Sequence, residues 1–328
     1  MTSPNPWLTS PSHSALISIG THSLYLSASG PLHRPGIPSI LIEAGHANCS
    51  NSWPAVVRLL AKFIRVYTYD RAGYGRSERA PSDIPRTAEQ IATELDLLLK
   101  AASVPGPFVL VGHSYGGILI REFLALRPFD IKGLVFVDAV MEHDLDYEWP
   151  NKELASLGKG LDSYEARGLK QNSKLSPEEW EIFVAGEKTS LFEETSQREM
   201  TGFSSSVTSL KAKNQITNKV LGARRLYIIK ADHVRDYRRI LEKGIEAGNG
   251  TEEEREKMKV FCEGIEKVWM RNTRALIGLC EVGWWRWKGV GCGHQVQIEM
   301  PEVVVEGVEW VLGPLWWEVK NANQVAEG

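Results

Sequence analysis

Phe108 to Val111 is an unbroken apolar run that ends on Gly112-His113-Ser114-Tyr115-Gly116-Gly117, after which Ile118, Leu119, Ile120, Phe123 and Leu124 recur at helical spacing. A short buried strand, a tight turn and a helix in direct succession narrow the possible folds sharply. In that setting Gly-x-Ser-x-Gly holds its serine in strained backbone geometry at the tip of the turn. Gly112 and Gly116 supply the missing β-carbons that let strand and helix close on each other. The helix N-terminus directs backbone N–H groups and a positive partial charge at any anion formed beside the serine. A chance match is the competing explanation, and the strand and helix on either side weigh against it. Ser114 is the candidate nucleophile.

The flanking chain repeats the alternation. Ala15 to Ile19 and Ser23 to Ser27 alternate around Gly20-Thr21 and predict an edge hairpin. Ser39 to Ile42 predicts a buried strand ending at Glu43-Ala44-Gly45-His46, and Trp53 to Phe63 a helix. Ile64 to Tyr69 predicts the next strand, followed by a Gly-rich turn from Asp70 to Ser77. Thr87 with Gln90 opens a helix through Ala101. Leu134 to Val137 predicts a sixth strand ending at Asp138. This order predicts an α/β fold, a mostly parallel sheet with helices on both faces.

From Met141 to about Val220 the strand pattern stops and the chain turns helical and polar, with a helix start at Ser176-Pro177-Glu178-Glu179. Residues 141–220 are the expected helical lid, inserted after the sixth strand between core segments 1–140 and 221–328. Leu226 to Ile229 resumes the strands. Two helices are expected from about Val234 to Ala247 and from Thr251 to Leu276, the second with Met258, Phe261, Ile265, Val268 and Trp269 on a core-packing face. Trp284 to Val290 predicts the last strand, Gly291 to His294 a turn, and Pro301 to Leu312 a closing helix.

Composition excludes several functions. A net charge of −3 gives no basic field for nucleic acid or an anionic membrane. Cys49, Cys262, Cys280 and Cys292 show no metal-binding spacing and no dense disulfide framework, so reduced, packed thiols are expected. Met1 to Ser14 lacks the apolar run of a signal peptide, and no apolar stretch has the length of about 20 residues that spans a bilayer. A cytoplasmic protein is the expectation; nothing fixes its oligomeric state.

Four strings carry a family resemblance: Leu41-Ile42-Glu43-Ala44-Gly45, Tyr69-Asp70-Arg71-Ala72-Gly73-Tyr74-Gly75, Gly112-His113-Ser114-Tyr115-Gly116-Gly117 and Val135-Phe136-Val137-Asp138-Ala139. Pro85-Arg86-Thr87-Ala88-Glu89-Gln90-Ile91 leading into Pro105-Gly106-Pro107 adds to them. The chain resembles the α/β-hydrolase fold family, well over roughly 38–140 and 291–312 and poorly over the lid and 232–290. The resemblance implies serine-hydrolase chemistry on an ester, lactone, thioester or amide, with no cofactor and no metal.

A serine hydroxyl needs a neighbouring base at neutral pH. Among eight histidines His294 stands late in the chain, in a Gly-rich turn before the final helix, where this fold places its base. His113 points away from Ser114, His13, His22 and His33 lie in edge or loop segments, and His143 and His233 are expected to be solvated. The developing oxyanion needs donors: the backbone N–H of Tyr115, and that of His46 after Ala44-Gly45, where the family commonly carries His-Gly. Asp70 and Arg71 are expected to hold their own turn. For the acid the expectation is Asp138, at the end of the sixth strand, an arrangement that resembles zearalenone-type lactonases and some dehalogenases. Asp232 remains the alternative, and Asp236 is expected to sit in a solvated ion pair.

The reading reached is a serine hydrolase of a small, largely apolar ester or lactone, with Tyr147, Trp149, Tyr164, Trp180, Phe183, Phe192 and Phe203 either lining its pocket or forming the lid's own core. Epoxide hydrolases and haloalkane dehalogenases resemble the scaffold but carry aspartate at the turn, and prolyl iminopeptidases typically have Trp where this chain has Tyr115. The alternatives are a hydrolase-like binding protein or receptor with little turnover, and a cofactor-free lyase or dioxygenase.

Overall fold

The computed structural model describes residues 4–142 and 149–324. The expected edge hairpin is β1 (Ser12–Ser18) and β2 (Ser23–Ser29), paired antiparallel. The remaining strands are β3 (Ser39–Glu43), β4 (Val66–Tyr69), β5 (Phe108–His113), β6 (Ile131–Val137), β7 (Arg225–Ala231) and β8 (Trp285–Val290). They form one sheet in the order β1-β2-β4-β3-β5-β6-β7-β8, parallel from β4 onward. This is the α/β architecture read from the sequence.

Strand periodicity explains the two cores. Successive side chains point to opposite faces, so Leu41, Leu110, Leu134, Phe136, Leu226 and Ile228 meet the helices Ala88–Ala101 and Gly116–Leu126 on one side. Ile40, Ile42, Val109, Val111, Val135, Val137 and Ile229 meet Pro54–Leu60 and Pro301–Leu312 on the other. Both faces are covered, which is why these strands read as continuous apolar runs.

Between β6 and β7 lie the helices Asn151–Leu157, Ser163–Ala166, Leu169–Asn172, Pro177–Gly186 and Ser190–Ala212. Ser176 and Glu179 cap the fourth reciprocally, as the sequence pattern requires. Part of the expected lid, residues 143–148, falls outside the described residues, and His143 and Tyr147 with it. After β7 come the helices His233–Glu246 and Glu252–Ala275. Their apolar faces (Val234, Leu241, Met258, Phe261, Ile265, Trp269) pack with Leu157 of the inserted segment, so helices from both sides of β7 share one cluster. Among the described residues no helix is long and apolar enough to cross a membrane, and the four cysteines are buried and free.

Candidate active site

The turn after β5 places Ser114 at φ 52°, a left-handed conformation that β-carbon-bearing residues seldom adopt. Its N–H donates to Val137 O at 3.1 Å, and its own carbonyl accepts from Gly117 and Val140. A β-carbon on Gly112 would come within 2.6 Å of Gly116 O, and one on Gly116 within 2.5 Å of Glu43 O, so glycine is required at both. The backbone N–H groups of Tyr115 and of His46 donate to nothing among the described residues. The Ser114 hydroxyl likewise makes no hydrogen bond there, whereas its two expected partners have found each other.

Asp138 follows β6 at φ 41°, a second left-handed non-glycine position beside the first. Its Oδ2 lies 2.6 Å from His294 Nδ1, and its Oδ1 accepts from Lys230 Nζ at 2.7 Å and from the Ala231 N–H at 3.2 Å. Burial alone would raise the carboxyl, but the Lys230 charge and the His294 hydrogen bond outweigh it and hold Asp138 well below the usual carboxylate range. The turn carrying His294 is itself braced. The His294 N–H donates to Asp236 Oδ2 at 2.9 Å, and the Gly293 N–H to Glu299 Oε1 at 3.0 Å. Arg235 grips Glu299 in a fork at 2.6 and 2.9 Å. From behind, His113 Nε2 meets the His294 carbonyl at 2.9 Å, with the rings 4.5 Å apart. Burial pushes the His113 imidazole down to about 3.

Several expectations need correcting. His233 is not a solvated residue. It is half-buried and stacks flat on His294 (4.0 Å, 9°) with Trp269 on its other face (4.6 Å, 17°), its Nδ1 3.5 Å from Asp138 Oδ2. It sits at the first turn of a helix that starts at the sheet's C-terminal edge, so its side chain turns inward. Asp236, expected in a solvated ion pair, is buried under the His294 turn, because the same helix lies across that turn. Asp232 caps that helix through the Arg235 N–H at 3.1 Å. Asp70 does hold its turn, accepting from Arg76 N–H, and so does Arg71, whose carbonyl accepts from the Tyr74 N–H at 2.9 Å and whose guanidinium lies over the Tyr74 ring, but Arg71 also reaches beyond the turn. The Arg71 guanidinium binds Glu43, the carbonyls of Ala44 and Gly45, and Glu199 of the Ser190–Ala212 helix. The His46 side chain meets Ser196 of that helix at 2.9 Å (carbonyl) and 3.1 Å (hydroxyl). Of the expected pocket aromatics, Tyr164, Trp180 and Phe183 pack on one another, Phe192 packs on Tyr74, and Phe203 lies 4.8 Å from the Tyr115 ring. Trp149 packs on Trp269 beside Asp138.

Asp138, His233 and His294 offer one ligand atom each within 4.8 Å of one another, the only such group of three among the described residues. Lys230 already places an ammonium on that carboxylate. The parallel imidazole planes also aim their lone pairs alongside each other rather than at one point, so the set fits a hydrogen-bonded relay better than a cation.

Residues 35–306 match the family described as the alpha/beta hydrolase family. Over 322 aligned positions the chain is 30% identical to an AB hydrolase superfamily protein of Gibberella zeae, covering 94% of this chain and 98% of that one. It is also 30% identical over 337 positions to the probable transporter efuK of Hormonema carpetanum, covering all of this chain but 46% of that protein, so it spans under half of that relative's length. Cfl2 from Burkholderia cenocepacia superposes with a TM-score of 0.64 at 17% identity, over 90% of this chain and 94% of that one, a likeness of fold alone.

Proposed function

The chain belongs to the alpha/beta hydrolase family, and from that premise we propose that it is a serine hydrolase of a small, largely apolar carboxylic ester or lactone, working through an acyl-enzyme. Ser114 Oγ attacks the substrate carbonyl carbon while His294 Nε2 takes the hydroxyl proton. Asp138 holds His294 through Nδ1, which fixes the tautomer and offsets the positive charge formed on the ring. The N–H groups of Tyr115 and His46 receive the oxyanion. His294 then returns the proton to the leaving alkoxide, and water attacking the acyl-enzyme repeats the cycle. Residues 141–220 serve as the lid, and Phe203 and Val207, packed with Tyr115, are its apolar wall.

The observation that carries this reading is the 2.6 Å contact between Asp138 and His294 at strand ends flanking a strained Ser114. The test is labelling by a fluorophosphonate, followed by turnover of a panel of esters and lactones. Wild type is expected to label and Ser114→Ala not to, with a rate loss of several orders of magnitude and an intact fold, since removing one hydroxyl opens no core cavity. Turnover by Ser114→Ala within tenfold of wild type would rule the serine mechanism out.

A further inference from the structure

Asp138 carries more partners than a triad acid needs. Oδ1 is taken by the Lys230 ammonium and the Ala231 N–H, while two imidazoles compete for Oδ2: His294 at 2.6 Å and His233 at 3.5 Å. Lys230 is buried, its ammonium 5.5 Å over the Trp269 ring, so Asp138 is its one counter-charge within ion-pair reach among the described residues. A buried carboxylate with one oxygen fixed by two donors cannot rotate freely about its Cβ–Cγ bond, and its second oxygen has one direction left.

We propose that Lys230 is a positioning residue of this site: by occupying Oδ1 it aims Oδ2 of Asp138 at His294 rather than at His233, and it sets a fixed positive charge against any that forms on the His294 ring. The inference rests on the hydrolase reading above. The groups facing His294 from each packed element are Asp138 after β6, Lys230 on β7, His113 on β5, and His233 and Asp236 on the helix after β7. The Arg235–Glu299 pair lies beyond, through Gly293. His113 and His233 are held neutral by burial, so Lys230 is the fixed cation of the set nearest the relay. With the ammonium gone, Asp138 attracts the imidazolium unopposed. The carboxylate, then held at Oδ1 by the Ala231 N–H alone, becomes freer to turn to His233.

Lys230→Gln keeps a donor for Oδ1 without the charge, Lys230→Met removes both, and Lys230→Arg restores both. In Lys230→Gln the acid limb of the pH–kcat/KM profile is expected to rise by about one unit while plateau kcat stays within a few-fold of wild type. Lys230→Met should add a loss of plateau kcat of about tenfold or more with KM little changed, the signature of a misaligned base. Lys230→Arg should bring both back. A purely structural lysine would lower the melting temperature and leave the limb in place, so an unmoved limb in a folded Lys230→Gln overturns the inference. Nitrogen-15 NMR of the His294 ring gives the same answer without turnover: its titration midpoint should move up in Lys230→Gln, and an unmoved midpoint sinks the idea even if Lys230→Met fails to fold. Absence of Ser114-dependent labelling in wild type overturns the hydrolase reading instead, a separate outcome from the NMR result.

Discussion

At the scale of single residues the proposed chemistry turns on Asp138, whose carboxylate meets His294, the buried Lys230 and a second imidazole, His233. Asp138→Asn keeps the shape and removes the charge: with its carbonyl oxygen on Lys230 the side-chain NH2 meets His294 only in the wrong tautomer, and Lys230 loses its counter-charge. A rate loss of about 10³- to 10⁴-fold is expected, together with destabilisation of about 3 kcal/mol or more from the unpaired buried cation. Asp232→Asn should be nearly silent, since asparagine caps a helix as well as aspartate does. Rates and melting curves of the two variants side by side check this, and an active Asp138→Asn beside a dead Asp232→Asn would move the acid to the seventh strand. Asp138 was legible because a charged residue ending a buried strand beside the Gly-x-Ser-x-Gly strand has few places to go. The place of Lys230 was not legible, for it depends on a carboxylate 92 positions away in the chain.

Elements, by contrast, divide by how local their signals are. Strands and the serine turn follow from runs of four or five apolar residues and from glycines with no room for a side chain, all readable within a short window. How the inserted helices seat on the core depends on contacts across long separations, and no periodicity announces them. The Ser190–Ala212 helix shows this. Glu199 and Ser196, three residues apart on one face, reach Arg71 and His46, so the helix is tied directly to the loop carrying the expected oxyanion donor. The Glu199–Arg71–Glu43 cluster is fully buried, whereas the Arg58–Glu179 pair is largely solvated. Glu199→Ala should therefore destabilise by about 3–5 kcal/mol and open the segment around residues 190–212 to limited proteolysis. Arg58→Ala should cost about 1 kcal/mol or less. Equal melting shifts in the two variants, with no new cleavage, would mean that the helix is held by its apolar face alone.

For the whole molecule, stability against pH is set by buried groups that pull in opposite directions. Burial, against the pull of Arg71, lifts Glu43 above the usual carboxylate range. Its folded form therefore binds a proton that the unfolded form has lost, and its contribution fades as pH rises. His113 is the reverse case, pushed down to about 3 by burial from the ordinary imidazole value of 6.5. Above that ordinary value neither state is protonated and His113 costs nothing. Below it the unfolded chain takes up a proton that the folded chain refuses, so stability is lost as pH falls from about 6.5 toward 3. Between pH 5 and 6.5 the two groups oppose each other, and the wild-type curve conceals both. His113→Gln retains a donor for the His294 carbonyl but cannot titrate. It should be less stable than wild type at pH 7.5 through poorer packing against Trp53 and His294, and that deficit should shrink by about 2 kcal/mol on lowering the pH to 5, one and a half units below the unfolded value. Urea midpoints of the two proteins at both pH values measure the difference. A deficit that stays constant would mean that His113 accepts its proton in the folded state, and that the wall behind His294 is open to charge.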